Sequence, residues 1–532
     1  MSFKNVIVKD WRKIDLSFGL IYPNIFRMGM SSYTIRLLYS YINSFDNVVC
    51  ERISLPESKI TFPASKDYSP MKLIRSIENR ILPIDFDILG FSLHFENDFK
   101  NILWLLEKAN IPLTFSERQV AGKRIEDLPL IIGGGPVITS NPIPLSQFFD
   151  FLFIGDSEPN LKLFFEALLD FKNNESSYST FLENVKRIEG IFIPSLGNNV
   201  RRAVLKDLNE SPNPTFQLLS KFQAEKNIFG GNFFVEVNRG CPYQCKFCIS
   251  SFHNSPFRNR SYENIINIIQ NGIKNSRFNV ISLIGSCVSS HPKFLKICEY
   301  IIKTGKRLTL PSIRIEHLNH ELIQILEKGK IKTITLAPET GSESLRYSLG
   351  KRISNEKIFS ILTQIRDSQV KNVKLYFLIG LPNETYEDNY EIITFLKNIE
   401  NLGFEKNTLR INVNPFIPKL NTPFEKEIES YYENNKEDLI KKFQLLEKEL
   451  KHFPSIKLKF ANLKMLIKNA RLQTIISLGD EKISDLLLSY YYNGGNFSAL
   501  QKSEKEIGFN LDDYLLKIRN CYNPWNVYLD KN

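Results

Sequence analysis

Residues 232–248 read Asn-Phe-Phe-Val-Glu-Val-Asn-Arg-Gly-Cys-Pro-Tyr-Gln-Cys-Lys-Phe-Cys. The aromatic and β-branched run Phe233–Val237 predicts a strand, and Asn238-Arg-Gly followed by Pro242 ends it in a loop. That loop carries Cys241, Cys245 and Cys248, with three and then two residues between them. Three thiolates at this spacing can hold three irons of a cubane [4Fe–4S] cluster and leave the fourth iron open. An exchangeable iron can chelate a small molecule instead of only passing electrons. Structural zinc is the alternative chemistry. It calls for a fourth ligand, and His253 stands five residues beyond Cys248.

Outward from this loop, residues 230–418 repeat a strand-then-helix unit six times. The strand-like runs are Phe233–Val237, Val280–Ile284, Leu308–Ile313, Thr333–Ala337, Val373–Ile379 and Leu409–Val413. Helical spacing fills segments such as Tyr262–Lys274 and Asn355–Ser368 between them. Alternation of this kind predicts a parallel α/β array, and six units make an open, partial (βα)6 TIM-like barrel. Polar or glycine-rich motifs follow the strands: Asn238-Arg-Gly, Gly285-Ser-Cys, Ser312-Ile-Arg, Pro338-Glu-Thr-Gly-Ser, Gly380-Leu-Pro and Asn414-Pro-Phe. Ligands of parallel α/β folds bind at the carboxyl ends of strands, so these motifs mark a candidate site.

A second alternating block precedes the barrel. Phe18–Tyr22, Val48–Ile53, Ile88–Leu93, Leu128–Ile132 and Phe151–Ile154 predict a five-stranded, doubly wound, Rossmann-like domain. Residues 190–229 contain Asn198-Asn-Val and Ser211-Pro-Asn-Pro, the composition of a hairpin and linker. From about residue 425, Leu439–Leu450, Leu463–Ser477 and Ile483–Tyr492 carry apolar residues at helical spacing until Asn493-Gly-Gly interrupts them. The expected division is 1–185 Rossmann-like domain, 186–229 linker and hairpin, 230–425 partial barrel and 426–532 mainly helical C-terminal domain.

Seven cysteines in 532 residues, three of them clustered, are metal-site usage in a reducing compartment, not a disulfide framework. Cys50, Cys287, Cys298 and Cys521 stand alone and read as small buried hydrophobes, with Cys287 notable for following a strand end. The net charge of +11 is scattered, with no block of five like charges, so it reads as a solvated basic surface without a strong nucleic-acid signal. No apolar run approaches the twenty residues of a membrane span, and Met-Ser-Phe-Lys-Asn is no signal-peptide core. The expected location is cytoplasmic, with peripheral membrane association compatible.

These motifs, together with Tyr22-Pro-Asn, Gly90-Phe-Ser-Leu, Ile132-Gly-Gly-Gly-Pro, Ile154-Gly-Asp-Ser-Glu, Leu336-Ala-Pro-Glu-Thr-Gly-Ser, Tyr376-Phe-Leu-Ile-Gly-Leu-Pro and Asn523-Pro-Trp, occur in an order that resembles one family. It is the radical S-adenosylmethionine (SAM) proteins with an N-terminal cobalamin-binding-like domain. The resemblance implies that Cys241, Cys245 and Cys248 ligate a [4Fe–4S] cluster whose open iron chelates SAM. An electron from a reductant such as ferredoxin or flavodoxin then splits SAM to methionine and a 5′-deoxyadenosyl radical, which takes hydrogen from an unactivated C–H bond. It further implies Phe247 at the adenine edge, Gly285 and Ser286 at the SAM amino group, Ser312 and Arg314 at its carboxylate or ribose, and Glu339 at the ribose hydroxyls.

In cobalamin domains the first βα loop reads Asp-x-His-x-x-Gly. Here it reads Asn24-Ile-Phe-Arg-Met-Gly, and the first histidine is His94. Ser92, Gly133 and Gly134 do have counterparts, so cobalamin binds without that histidine or the domain is a scaffold that lost it. The expected activity is modification of an unactivated carbon of a substrate the sequence does not identify, a lipid among the candidates. Alternatives are a cobalamin-dependent C-methyltransferase, an archaeal tetraether lipid ring synthase, and a non-catalytic RNA-binding or scaffold protein with a structural cluster. A methylthiotransferase would carry a second cluster on three N-terminal cysteines, where this chain offers only Cys50.

Overall fold

Strand β1 (Leu16–Ile25) is buried along nearly its whole length, with no alternation of apolar and polar faces. A run of that kind needs cover on both sides, as helices flanking a parallel sheet provide. The computed structural model describes residues 3–56, 74–120, 127–220, 231–428, 436–458, 462–496, 498–521 and 525. In it β1 lies in a sheet of order β2–β1–β3–β4–β5–β6, with β2 Val48–Leu55, β3 Ile88–Ser92, β4 Leu130–Gly134, β5 Phe151–Phe153 and β6 Ile191–Phe192. The first five strands run parallel and β6 is antiparallel. This order puts the topological switch between β1 and β3, where doubly wound sheets open a crevice at their carboxyl ends.

Helices α1 (Tyr33–Ile42) and α3 (Glu158–Lys172) pack on one face of that sheet, α2 being Phe99–Lys108. Phe164 of α3 is fully buried among the edge-on rings of Phe151 and Phe153. Gly90 is required to be glycine in β3, because a Cβ there would lie 2.2 Å from the Phe18 ring. The five expected strands are all present. The sixth, β6, is two residues long and carries too little pattern to be read from sequence.

The barrel strands form two parallel ladders. Strands β7 (Asn232–Glu236), β8 (Val280–Ile284) and β9 (Arg307–Thr309) stand in the order β9–β8–β7. Strands β10 (Thr333–Glu339), β11 (Asn372–Ile379), β12 (Leu409–Pro415) and β13 (Ile456–Leu458) follow in sequence order. The Ile313 amide donates to Thr335 O at 3.2 Å and links the ladders. The six expected strands are therefore β7 to β12, and β13 is an addition of only three residues.

The intervening helices are α4 (Tyr262–Asn275), α5 (Phe294–Lys303), α6 (His320–Lys328), α7 (Asn355–Arg366), α8 (Tyr386–Glu400) and α9 (Lys436–Leu450). Ser261, Asn319, Ser354 and Thr385 cap α4, α6, α7 and α8 through their side chains. Each cap contributes about 1 kcal/mol and sets where the chain leaves the strand-end loop. Strand β11 alternates strictly. Val373, Leu375, Phe377 and Ile379 are fully buried, and Phe377 meets Phe395 of α8 edge-on. Its other face, away from the helices, carries Lys374, Tyr376 and Leu378.

The chain divides into two compact units, 1–231 with 475–511 and 522–532, and 232–474 with 512–521. The C-terminal region expected as a domain of its own is thus shared between them. A helix with one apolar stripe cannot make a core alone and must join an existing one. Within the first unit, Glu481–Tyr492 does so beside Ile143–Phe148: Ser484 Oγ donates to Pro144 O at 2.9 Å, and Asn141 Nδ2 donates to Gly479 O at 2.9 Å. Gly494 and Gly495, at φ 95° and 59°, interrupt the helices where expected. Part of the expected linker (221–230) and Asn523-Pro lie outside the described residues.

Candidate active site

Strand β7 delivers the cysteine loop and anchors it with charge. Glu236, buried at the strand's end, accepts from Arg239 at 2.7 Å and from Arg260 at 3.2 Å. Gly240 has φ 73°, and a Cβ there would stand 2.4 Å from Asn254 O, so only glycine allows this turn. Farther along, the Lys246 amide donates to Leu349 O and the Cys248 amide to Cys245 O, both at 3.0 Å. The loop is therefore held at both its strand end and its far side.

Cys245 is the most buried of the three thiols, and Cys241 and Cys248 are half-buried. Burial pushes the Cys245 thiol up, while Lys351 and Arg314 draw it back down. Arg314 Nη1 lies 3.8 Å from Cys245 Sγ, its guanidinium stacks 3.5 Å over the Tyr243 ring, and it pairs with Glu316. Cys287 arrives from the loop after β8 as a fourth thiol. It is held low, at about 6, chiefly by hydrogen bonding to Cys241, whose own pKa the same bond and burial push up.

Among the described residues, no three His, Cys, Asp or Glu side chains close around a single ion. His253 instead sets its Nε2 2.7 Å from the Leu420 carbonyl oxygen. Zinc needs four donors about one point, whereas a cubane spreads its three cysteines over three irons. The three loop cysteines fit a [4Fe–4S] cluster.

The expected SAM residues separate into groups. Phe247 packs with Leu378 against a buried apolar cluster of Leu345, Leu349, Leu381, Phe416 and Phe424. Glu339 ends β10, is buried, holds a left-handed φ of 68° and accepts from Lys351 Nζ at 2.6 Å. A non-glycine residue there stores about 1–3 kcal/mol of strain, a mark of functional positions. Ser286 and Ser312 are exposed at their strand ends. Gly285 has a structural reason to be glycine, since a Cβ would lie 2.2 Å from Asn238 Oδ1, which also accepts from the Cys287 amide. Cys287 is marked in the sequence only by its place after a strand end, and the Lys351–Glu339 pair and a Tyr243–His317–Ser289 chain of hydrogen bonds escape sequence reading because no local pattern announces them.

At the switch point of the first unit, Ser92 is buried with its hydroxyl 3.0 Å from His94 Nε2, and the His94 and Tyr22 rings are 5.4 Å apart. A Cβ on Gly134 would meet nothing nearer than Phe153 Cβ at 3.6 Å. Gly133 is different. Its Cβ position is already filled by Leu152 and Phe149, each 2.8 Å away, so its missing side chain serves packing.

Burial lowers His94 to about 4 and raises Asp98 to about 6. Unfolded, the imidazole titrates near 6.5, so stability present above that pH is lost as pH falls toward 4. Asp98 has the opposite sign: its contribution is present below about 4 and lost as pH rises through 6. In His94→Gln, stability relative to wild type should therefore rise by about 1–2 kcal/mol between pH 7 and 4.5, read from urea midpoints. A difference that stays constant over that range would show that the imidazole is not the titrating group.

Family comparison decides the class. The model for radical SAM proteins, N-terminal, matches residues 34–194, and that for the radical SAM superfamily matches residues 235–396. This chain is a radical SAM enzyme. Protein MJ0966 of Methanocaldococcus jannaschii is 28% identical over 508 residues, covering 94% of this chain and 96% of that one. The radical SAM methyltransferase TsrM of Kitasatospora setae, solved with cobalamin and a [4Fe–4S] cluster bound, superposes with a TM-score of 0.51 at 13% identity, over 77% of each chain. The cobalamin-dependent SAM radical enzyme OxsB, solved with aqua-cobalamin and SAM, gives 0.52 at 15% identity, over 93% of this chain and 62% of its own.

Membership brings a [4Fe–4S] cluster and SAM as cofactors, and with them the need for a reductant and a substrate. The non-catalytic scaffold reading therefore falls away. Among the described residues no helix is long and apolar enough to cross a membrane.

Proposed function

We propose that this radical SAM enzyme modifies an unactivated carbon and that a corrinoid held on the first unit makes methyl transfer to carbon its reaction. The observation that carries the corrinoid is the switch point between β1 and β3, with a partly exposed Gly134, a buried Ser92 hydroxyl and a neutral imidazole at His94. Ser92 and Gly134 would hold such a group against the strand ends, and the two structural relatives were solved with cobalamin bound. Its chemistry there is to supply a methyl group for transfer.

At the cysteine loop, Cys241, Cys245 and Cys248 would hold the cluster, whose chemistry is reductive cleavage of SAM. Arg314 keeps positive charge beside Cys245, the Lys351–Glu339 pair presents a carboxylate at the end of β10, and the apolar cluster around Phe247 excludes water. Phe247, Ser286, Ser312, Arg314 and Glu339 are the side chains assigned to SAM.

One observation favours a second reading, a cobalt-free radical reaction such as ring closure on a lipid. The first βα loop is a short helix, Phe26–Met30, and Asn24 at its start bonds Asp98 at 3.1 Å, so no histidine reaches cobalt from that loop. A methylthiotransferase reading lacks its second thiolate trio, since Cys50 is fully buried within β2. Corrinoid content after anaerobic purification from cobalamin-supplied cells separates the two. About one corrinoid per chain is expected. None, with the cluster intact, would hand the reaction to the cobalt-free reading.

A further inference from the structure

The inner face of the barrel carries an unneutralised row of cations. In the parallel register Thr335 lies beside Lys374, Lys374 beside Arg410, and Arg410 beside Lys457, on β10, β11, β12 and β13. The residues between them along these strands, such as Val373, Leu375, Leu409 and Ile411, are fully buried. The cations therefore share the face away from the helices, Lys374 half-exposed and Arg410 and Lys457 exposed. Lys374 Nζ lies over the Tyr376 ring, 4.7 Å from its centroid. Among the described residues, none of the three has a carboxylate within ion-pair distance.

Like charges set directly opposite on neighbouring strands destabilise a sheet. Inward charges do protect sheet edges from mispairing, which would account for Lys457 on the last strand. That does not account for Lys374, two strands further in. A repulsive row kept in register is accounted for by an anion that neutralises it.

We propose that Lys374, Arg410 and Lys457 bind the phosphates of a diphosphate-bearing substrate. Adjacent strands are about 4.8 Å apart, so three cations span about 10 Å, room for two linked phosphates instead of one carboxylate. Arginine presents paired donors to one phosphate, and lysine a point charge to the next. Above the row the same face continues through Tyr376 beside Asn412, then Leu378 beside Asn414. Leu378 packs with Phe247 of the cysteine loop in one cluster, so the row lies four residues, about 13 Å, below the loop's level. The substrate then extends from its diphosphate up the barrel to a carbon presented at the loop. This last step rests on the radical SAM reading of the loop.

The test is calorimetric titration of full-length protein with inorganic pyrophosphate and, separately, citrate at low ionic strength. Wild type is expected to bind pyrophosphate at least tenfold more tightly than citrate. Lys374→Gln with Arg410→Gln should weaken pyrophosphate binding about a hundredfold, since each charged hydrogen-bond partner contributes on the order of tenfold. Arg410→Lys, which keeps the charge, should stay within about threefold of wild type, and Lys303→Gln on α5 should match it. Equal pyrophosphate affinity in wild type and the double glutamine variant would overturn the proposal, as would citrate binding as tightly as pyrophosphate. SAM cleavage by wild type, scored as 5′-deoxyadenosine, tests the loop separately. Pyrophosphate binding without cleavage would keep the row and sink the loop reading; cleavage without binding would do the reverse.

Discussion

Cys245→Ala should lower 5′-deoxyadenosine release by at least about a thousandfold and strip most of the iron, while far-ultraviolet circular dichroism stays unchanged. Groups that act as a unit lose nearly the whole effect when one is removed. Cys245 is the most buried loop thiol and the one that Arg314 and Lys351 face, so its loss also leaves that positive charge without its thiolate. The fold does not depend on it. The loop is fixed by Glu236 with its two arginines, by the turn at Gly240 and by the backbone bond from Lys246 to Leu349. Cys50→Ala is the matching control: Cys50 sits in the core of the other unit, so iron content should be unchanged. Normal SAM cleavage by Cys245→Ala would end the assignment of this loop.

Glu236→Ala is expected to be the most destabilising single change near the site, at about 3–5 kcal/mol. It leaves Arg260, 1% exposed, and Arg239 without the carboxylate between them. A buried charge stripped of its partner carries its full desolvation cost, whereas the intact pair roughly offsets it. Thermal melting should fall by on the order of 10 °C, at 2–4 °C per kcal/mol for a unit of this size. Glu236→Gln, which keeps the shape and one acceptor, should lose less. Because Glu236 closes the strand that delivers Cys241, the reconstituted protein should also retain iron poorly. A melting temperature within 2 °C of wild type, against that expected scale, would mean that water or another group neutralises the arginines.

Much of the architecture is legible in local pattern. Uninterrupted apolar runs such as Phe151–Phe153 and Val280–Ile284 announce parallel strands covered on both faces, and capping residues such as Ser261 and Thr385 mark where the helices begin. Strands of two or three residues, Ile191–Phe192 and Ile456–Leu458, fall below what periodicity can register. The division of the C-terminal helices between two units was not readable either, because an apolar stripe says that a helix is covered but not by what.

At the site the same boundary applies. Three thiolates within eight residues are a local pattern, so the candidate metal loop and the repeating strand-helix unit were legible in the chain by itself. Only tertiary structure decided that Cys287 joins Cys241, that Lys351 meets Glu339, and that a side chain at Gly133 would clash with Leu152 and Phe149 while one at Gly134 would not. It also set Lys374, Arg410 and Lys457 in one row. Local spacing fixes which chemistry a segment can support. Contacts between residues tens of positions apart depend on strand register and helix packing, which the whole core settles at once.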